Sequence, residues 1–272
     1  SGDNLYIKSI VSDGDLIFQG NDGGVSTTVL TLDMSNAGNA TFNGSVLAPT
    51  LYVGENILHT DDSDTYINFT TDTIKFYTAG SSRFELASDG SLSTPTLGTS
   101  NVRFGVNAGD SIASGGNYNV LIGDEAGTAI STGDHNVALG YAALGTEDAH
   151  GYNTAIGGRS LYNLNAGAEG YNVGVGYDSG NDLTLGVQNT LIGALAGDAL
   201  TDADANVVLG YAALSSDTLG SKSVAVGTGA LYTQNFTTAT NSYNVAVGDS
   251  AGNAVTTGIR NTLIGALAGD AL

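Results

Sequence analysis

Cysteine and tryptophan are absent from the 272 residues, proline occurs twice and methionine once, and Lys and Arg together number 7 against 27 Asp and Glu. Each shortage excludes something. Without cysteine there is no disulfide, no thiolate nucleophile and no thiolate metal site, and the redox compartment stays open. At a formal net charge of -20 the chain lacks the clustered cations that a polyphosphate backbone requires. Nucleic acid is therefore not an expected partner, and neither is an anionic lipid surface. No apolar run approaches the roughly 18 residues of a membrane-spanning helix, so no membrane insertion is expected. What is abundant is glycine, 40 residues of 272, about twice the usual share of roughly 7%. Apolar residues make up a normal 41%, enough to bury a core, so the composition is not that of a disordered chain.

The glycines recur at fixed places. A five-residue core occurs ten times, with successive intervals of 18, 17, 17, 19, 17, 17, 17, 21 and 17 residues. Nine copies open on asparagine, at Asn101, Asn119, Asn136, Asn153, Asn172, Asn189, Asn206, Asn244 and Asn261, and one opens on Ser223. All ten close on glycine, at Gly105, Gly123, Gly140, Gly157, Gly176, Gly193, Gly210, Gly227, Gly248 and Gly265. Counting the opening residue as position 1, position 2 is always Val or Thr, position 4 is always large and apolar, and position 8 is always Ala or Ser. Position 9 is only Gly or Leu, and its order repeats every four coils. The twelve residues 189–200 return unchanged at 261–272.

Three to five β-branched and aliphatic residues ending in glycine make a short strand and a corner, with no room for a helix. The expected fold is therefore all-β, a parallel β-solenoid with coils of about 17 residues over 101–272. Period-two alternation puts positions 2 and 4 on one face, which we assign to the coil interior. The asparagines are expected to form a structural ladder, each amide bonding its equivalents above and below, and the glycines to form structural corners with positive φ. Position 3 then faces outward. It is apolar or Gly in nine of ten coils, Leu191 and Leu263 included, so we expect that strip to be buried against another copy of the chain.

Residues 1–87 carry a different pattern, with alternating strands expected at 5–10, 16–19, 27–34, 40–42, 51–53, 66–69, 74–77 and 84–86. They are divided by hairpin-type Asp-Gly and Asn-Gly turns at 13–14, 22–23 and 43–44. Residues 88–100, rich in Ser, Thr and Gly, read as a linker. The last coil, opened by Asn261, ends after 12 residues, whereas its twin at Asn189 needs 17 to reach the next Asn. We expect the sequence beyond Leu272 to continue as a further coil resembling residues 201–214.

No constellation of catalytic, cofactor-binding or metal-binding residues emerges. The GVGYDSG of 174–180 looks like a dinucleotide loop but lies inside a coil with no following helix. His59, His135 and His150 are isolated from one another in sequence. The acidic groups Asp13/Asp15, Asp61/Asp62/Asp64 and Asp202/Asp204 lack the spacing of a Ca²⁺ loop and read as solvated turns, with a Ca²⁺ site formed where a three-fold axis triples such carboxylates as the alternative. Tyr118, Tyr152, Tyr171 and Tyr243 each precede a ladder asparagine. They read as corner packing, with a sugar-stacking surface as the alternative.

The coil unit NVALGYAAL (136–144), with its relatives NTAIGGRSL and SVAVGTGAL, resembles the head repeats of trimeric autotransporter adhesins, and still more the repeats of bacteriophage tail-fibre and appendage proteins. Residues 15–44 and 59–86 are similar to segments of marine-phage fibre proteins. The resemblance implies a left-handed parallel β-roll in which three chains pack side by side. It also implies a non-enzymatic shaft of a virion tail fibre or appendage, extracellular and involved in host attachment. The implied partners are two further copies in a homotrimer, other virion or fibre proteins, and a host surface receptor, with glycan among the candidates. No cofactor is implied. The alternatives are a bacterial trimeric surface adhesin and a polysaccharide-depolymerising tailspike.

Overall fold

The structure is a computed structural model that describes residues 14–33, 39–42, 45–47, 50–59 and 61–271. The chain divides into two compact units, 1–54 and 55–272. In the first, β1 (Leu16–Asp22), β2 (Val25–Asp33) and β3 (Asn39–Phe42) form a three-stranded antiparallel sheet in sequence order. Gly23 and Gly24, with φ of 60° and 92°, make the two-residue turn between β1 and β2, the primed type whose twist suits paired strands. The strand expected at 5–10, the first residue of the turn at 13–14 and the turn at 43–44 lie outside the described residues. No strand forms at 51–53.

The second unit begins with a five-stranded antiparallel meander of β4 (Asn56–His59), β5 (Asp62–Thr70), β6 (Thr73–Thr78), β7 (Ser81–Leu86) and β8 (Leu92–Ser93). It continues as the solenoid. Ten three-residue strands stack in one parallel sheet: β9 (Val102–Phe104), β10 (Val120–Ile122), β11 (Val137–Leu139), β12 (Thr154–Ile156), β13 (Val173–Val175), β14 (Thr190–Ile192), β15 (Val207–Leu209), β17 (Val224–Val226), β19 (Val245–Val247) and β20 (Thr262–Ile264). β16 (Gly220–Ser221) and β18 (Thr240–Asn241) pair where the 21-residue coil bulges. Among the described residues there is no α-helix, hence none that crosses a membrane. Residues 94–99 do more than connect. Thr94 Oγ1 accepts the Arg103 N–H at 2.9 Å and Thr99 O accepts the Tyr118 N–H at 2.9 Å, so this segment lies as an extra layer on the first coil.

The assignment of strand faces is reversed. Position 3 points inward, with Leu121, Ala138, Ala155, Leu191, Val208, Ala225 and Ala246 all 0% exposed, while positions 2 and 4 face out. Alternation fixes which residues share a face, but the width of the coil decides which face is inside. Each coil interior is narrow and is already filled from the opposite wall by positions 8 and 9. That also explains the four-coil order. Where position 3 is leucine, at Leu121 and Leu191, position 9 is Gly127 or Gly197. Where position 3 is Ala138, Ala155, Val208 or Ala225, position 9 is a buried leucine. In the fourth coil of each cycle both are small, and the neighbours fill the gap. A Cβ on Gly180 would meet Leu191 Cδ1 at 2.6 Å and Leu161 Cδ2 at 2.9 Å, and one on Gly252 would meet Leu231 and Leu263 at 2.9 Å each. The superperiod is a packing jigsaw of alternating large and small residues.

The corner glycines have φ between 121° and 148°, farther from the helical region than a left-handed helical corner. A Cβ at Gly140 would sit 2.7 Å from the carbonyl of Gly157 in the next coil. The backbone conformation and the close stacking therefore both exclude a side chain. The asparagines are buried, 0% exposed from Asn119 to Asn244. Asn101 Oδ1 accepts the backbone N–H of Asn119 at 2.8 Å, and the pattern repeats along the column. The amide nitrogen also ties its own coil shut, as Asn119 Nδ2 does to Gly133 O at 2.8 Å and Asn189 Nδ2 to Ala203 O at 2.7 Å.

Candidate interaction surface

With position 3 inside, the apolar side chains at positions 2 and 4 form the outer face of the parallel sheet. In-register pairing puts like over like, with Ile122 between Phe104 and Leu139, and Val120 between Val102 and Val137. The result is two unbroken ladders, one Val/Thr and one Ile/Leu/Val/Phe, with no charged residue at either position in any coil. Phe104 is 51% exposed, Leu139 44%, Leu209 45% and Ile264 71%. A continuous apolar strip of this kind on a chain of charge -20 is the candidate interaction surface of the coils.

Aromatic rows flank the strip. On one side, at the residue before each ladder asparagine, Tyr118, His135, Tyr152 and Tyr171 stack face to face with centroids 5.0, 5.1 and 5.1 Å apart. Each adopts φ between 50° and 60°, a left-handed conformation that costs roughly 1–2 kcal/mol in a non-glycine residue. Farther along the row, Lys222 Nζ lies 5.5 Å from the Tyr243 ring centroid. The inner faces of the four stacked rings are covered by each other, while Tyr118, Tyr152 and Tyr171 remain 54%, 45% and 53% exposed. On the other side, immediately after the corner glycine, Tyr141, Tyr177 and Tyr211 are each 58% exposed and have Gly158 and Ala194 on the coils between them. Sequence reasoning passed over this row, although the recurring Gly-Tyr at three corners was its signal.

Sequence reasoning also missed three polar residues at position 12, which is Ile, Leu or Val in seven coils and Glu147, Asp217 and Gln234 in the others. All three are 0% exposed. Glu147 accepts the N–H groups of His150 and Ala166, both at 3.1 Å. Asp217 accepts those of Gly220 at 3.1 Å and Phe236 at 2.9 Å. In each case the second donor belongs to the longer coil that follows, so the carboxylate satisfies backbone that an insertion leaves over. Gln234 donates to Asp217 at 2.6 Å and to Ser223 Oγ at 2.9 Å, and accepts from Asn244 Nδ2 at 2.7 Å, bridging the column where Ser223 replaces asparagine. Burial pushes the Glu147 carboxyl above its usual range, against the N–H groups of Ala166 and His150 and the His150 ring, whose Nδ1 is 3.4 Å away.

Glu147, Asp148 and His150 bring potential ligand atoms within 4.8 Å of one another, but both Glu147 oxygens are engaged by backbone N–H groups. Asp62, half-buried, and Asp64, exposed, lie where β5 begins. The Asp64 hydrogen bond holds the Asp62 carboxyl low, and the same bond raises Asp64. Asp204 Oδ1 accepts the Val187 N–H at 2.9 Å, a turn contact between coils. Of the Asp13/Asp15 pair, Asp13 lies outside the described residues. His59 ends β4 and is exposed, and 174–180 runs from β13 into a turn. No known protein family, curated protein or solved structure matches the chain.

Proposed function

We propose that this chain is a structural shaft segment of an attachment fibre, of the kind virions use to reach a host cell, and that it works as a homotrimer whose copies meet through the apolar strand face. The observation that carries the reading is the pair of unbroken apolar ladders along all ten coils. Each large side chain there is worth about 1.5–3 kcal/mol when fully buried. The number of copies rests on the resemblance of the coil unit to trimeric head and fibre repeats. A rod that buries its own core and associates along its length is suited to transmit distance and load without moving parts.

Light scattering tests the reading. The expected mass is three times 27.3 kDa, and the double variant Leu139→Asp/Leu209→Asp is expected to give a folded single chain, because six carboxylates would meet around the axis without partners. A wild-type protein monodisperse at 27.3 kDa contradicts it.

A further inference from the structure

The second tyrosine row has a geometry that the stacked row lacks. Adjacent coils lie about 4.8 Å apart, and at that rise neighbouring rings cover one another, as Tyr118 to Tyr171 show with centroid separations of 5.0 to 5.1 Å. Tyr141, Tyr177 and Tyr211 occupy alternate coils, so their spacing is about 9.6 Å. The coils between carry Gly158 and Ala194, which bring no ring and no long side chain. A Cβ on Gly158 would touch Tyr177 Cδ2 at 3.6 Å, so the tyrosine leans over bare backbone there. These tyrosines also line the wall beyond the corner rather than the strand face, since Tyr141 shares an open cleft with Ala142, Arg159 and Tyr162. Four coils later Tyr211, Ala212 and Tyr232 return at the equivalent places, with Gly229 where Arg159 stands.

Hydrogen-bonding groups stand beside the rings. Arg159 is held by Asp178 at 3.4 Å and by Asn181 Oδ1 at 3.3 Å, with its guanidinium 5.7 Å from the Tyr162 centroid. Two of its five donors are thereby oriented and the others are left for a ligand. Exposed aromatic platforms at regular intervals, with the Arg159 donors between the first two, have the chemistry that recognises sugars: the apolar C–H face of a pyranose stacks on the ring while its hydroxyls take the polar contacts. The spacing selects a chain rather than a single sugar, because a β-1,4-linked backbone repeats every two residues over about the length of two coils. The charge selects a neutral one. Asp178 and Asp182 lie close enough to Asp198 to help raise its carboxyl, after the larger effect of burial, and an acidic polysaccharide would meet that patch.

We propose that the row Tyr141, Tyr177 and Tyr211 binds a neutral, linear β-1,4-linked polysaccharide lying along the rod axis. The proposal rests on the shaft reading, in which the strand face is covered by other copies and this wall stays in solvent. The test titrates the full chain with cello-, chito- and manno-oligosaccharides of two to eight sugars by calorimetry, alongside light scattering of every variant. For at least one of the three series, affinity is expected to step up when the oligosaccharide becomes long enough to span a second platform, and oligogalacturonate is expected to bind more weakly. Tyr177→Ala is expected to weaken binding about tenfold, equivalent to about 1.4 kcal/mol, with mass and β-structure unchanged. Tyr118→Ala, at the end of the closed stack, is expected to leave affinity unaltered. Absence of binding in all three series overturns the proposal, as does binding that is indifferent to Tyr177→Ala or lost equally with Tyr118→Ala. If assembly persists in either overturning case, the shaft reading stands without it, whereas a single-chain mass for the wild-type protein overturns the shaft reading itself.

Discussion

The solenoid and the hairpin region that precedes it are both β-structure from one chain, yet they solve burial differently. Inside the coils, side chains such as Leu121, Leu144 and Leu191 are 0% exposed, whereas no described residue of 14–100 is buried. A coil wraps a closed interior that the coils above and below seal. The antiparallel meander wraps no closed interior, and Ile57 at 45%, Leu58 at 54% and Phe76 at 41% remain exposed. The solenoid thus carries its own core and a spare apolar face, while the sheets carry only apolar faces. Among its described residues the hairpin region therefore holds no closed core.

The sharpest way to break this comparison is to add a charge to the coils and to remove one from the sheets. Leu191→Asp puts a carboxylate into a closed interior with no partner, and we expect a cost of several kcal/mol and loss of the cooperative thermal transition of the coils. Removing the Lys75–Glu85 contact between β6 and β7, whose side chains are 29% and 23% exposed, by Lys75→Ala is expected to cost no more than about 1 kcal/mol. Differential scanning calorimetry on the two variants checks the contrast, and equal shifts would contradict it.

Between these extremes lies Glu147→Gln. A buried acid whose carboxyl is raised in the folded state is protonated more readily there than in the unfolded chain. Its contribution to stability is therefore greatest below the ordinary carboxylate pKa and declines as pH rises through the raised value. The glutamine variant has no charge to bury, so that part of the slope is expected to vanish. Melting temperature followed from acid to neutral pH in both proteins measures it, and parallel curves would show that Glu147 does not titrate with folding. His150, Asp148 and Glu169 surround the same corner and are unchanged in the comparison.

Much of this architecture is legible in the residues, and the misses have physical causes. The pentad marks every strand of the ten-stranded sheet because a corner glycine recurs in every coil and an opening asparagine in nine of the ten. The Gly/Leu order at position 9 is visible as a period, but its meaning appears only when Leu161 and Leu191 are seen to fill the space beside Gly180. Which face points inward is not written in the alternation, since Val, Thr, Ile and Leu suit a coil interior and a subunit interface alike. The non-glycine residues at positive φ, such as Leu144 at 52° and Tyr152 at 60°, leave no mark because neither residue type favours that conformation. Tertiary stacking imposes it. Glu147, Asp217 and Gln234 were within reach, as polar exceptions in an otherwise apolar column.

The central claim is that the strand face, and neither the coil interior nor the tyrosine wall, is what other copies of the chain cover. A chain without cysteine makes this directly measurable through the reaction of single introduced thiols with a water-soluble reagent. In the isolated chain Leu209 is 45% and Tyr211 58% exposed, two residues apart on either side of a corner, so a lone subunit would label readily at both. The account predicts that Leu209→Cys is protected in the native assembly and becomes reactive on dissociation, while Tyr211→Cys reacts quickly throughout. Equal, fast labelling of both in the native protein would contradict it.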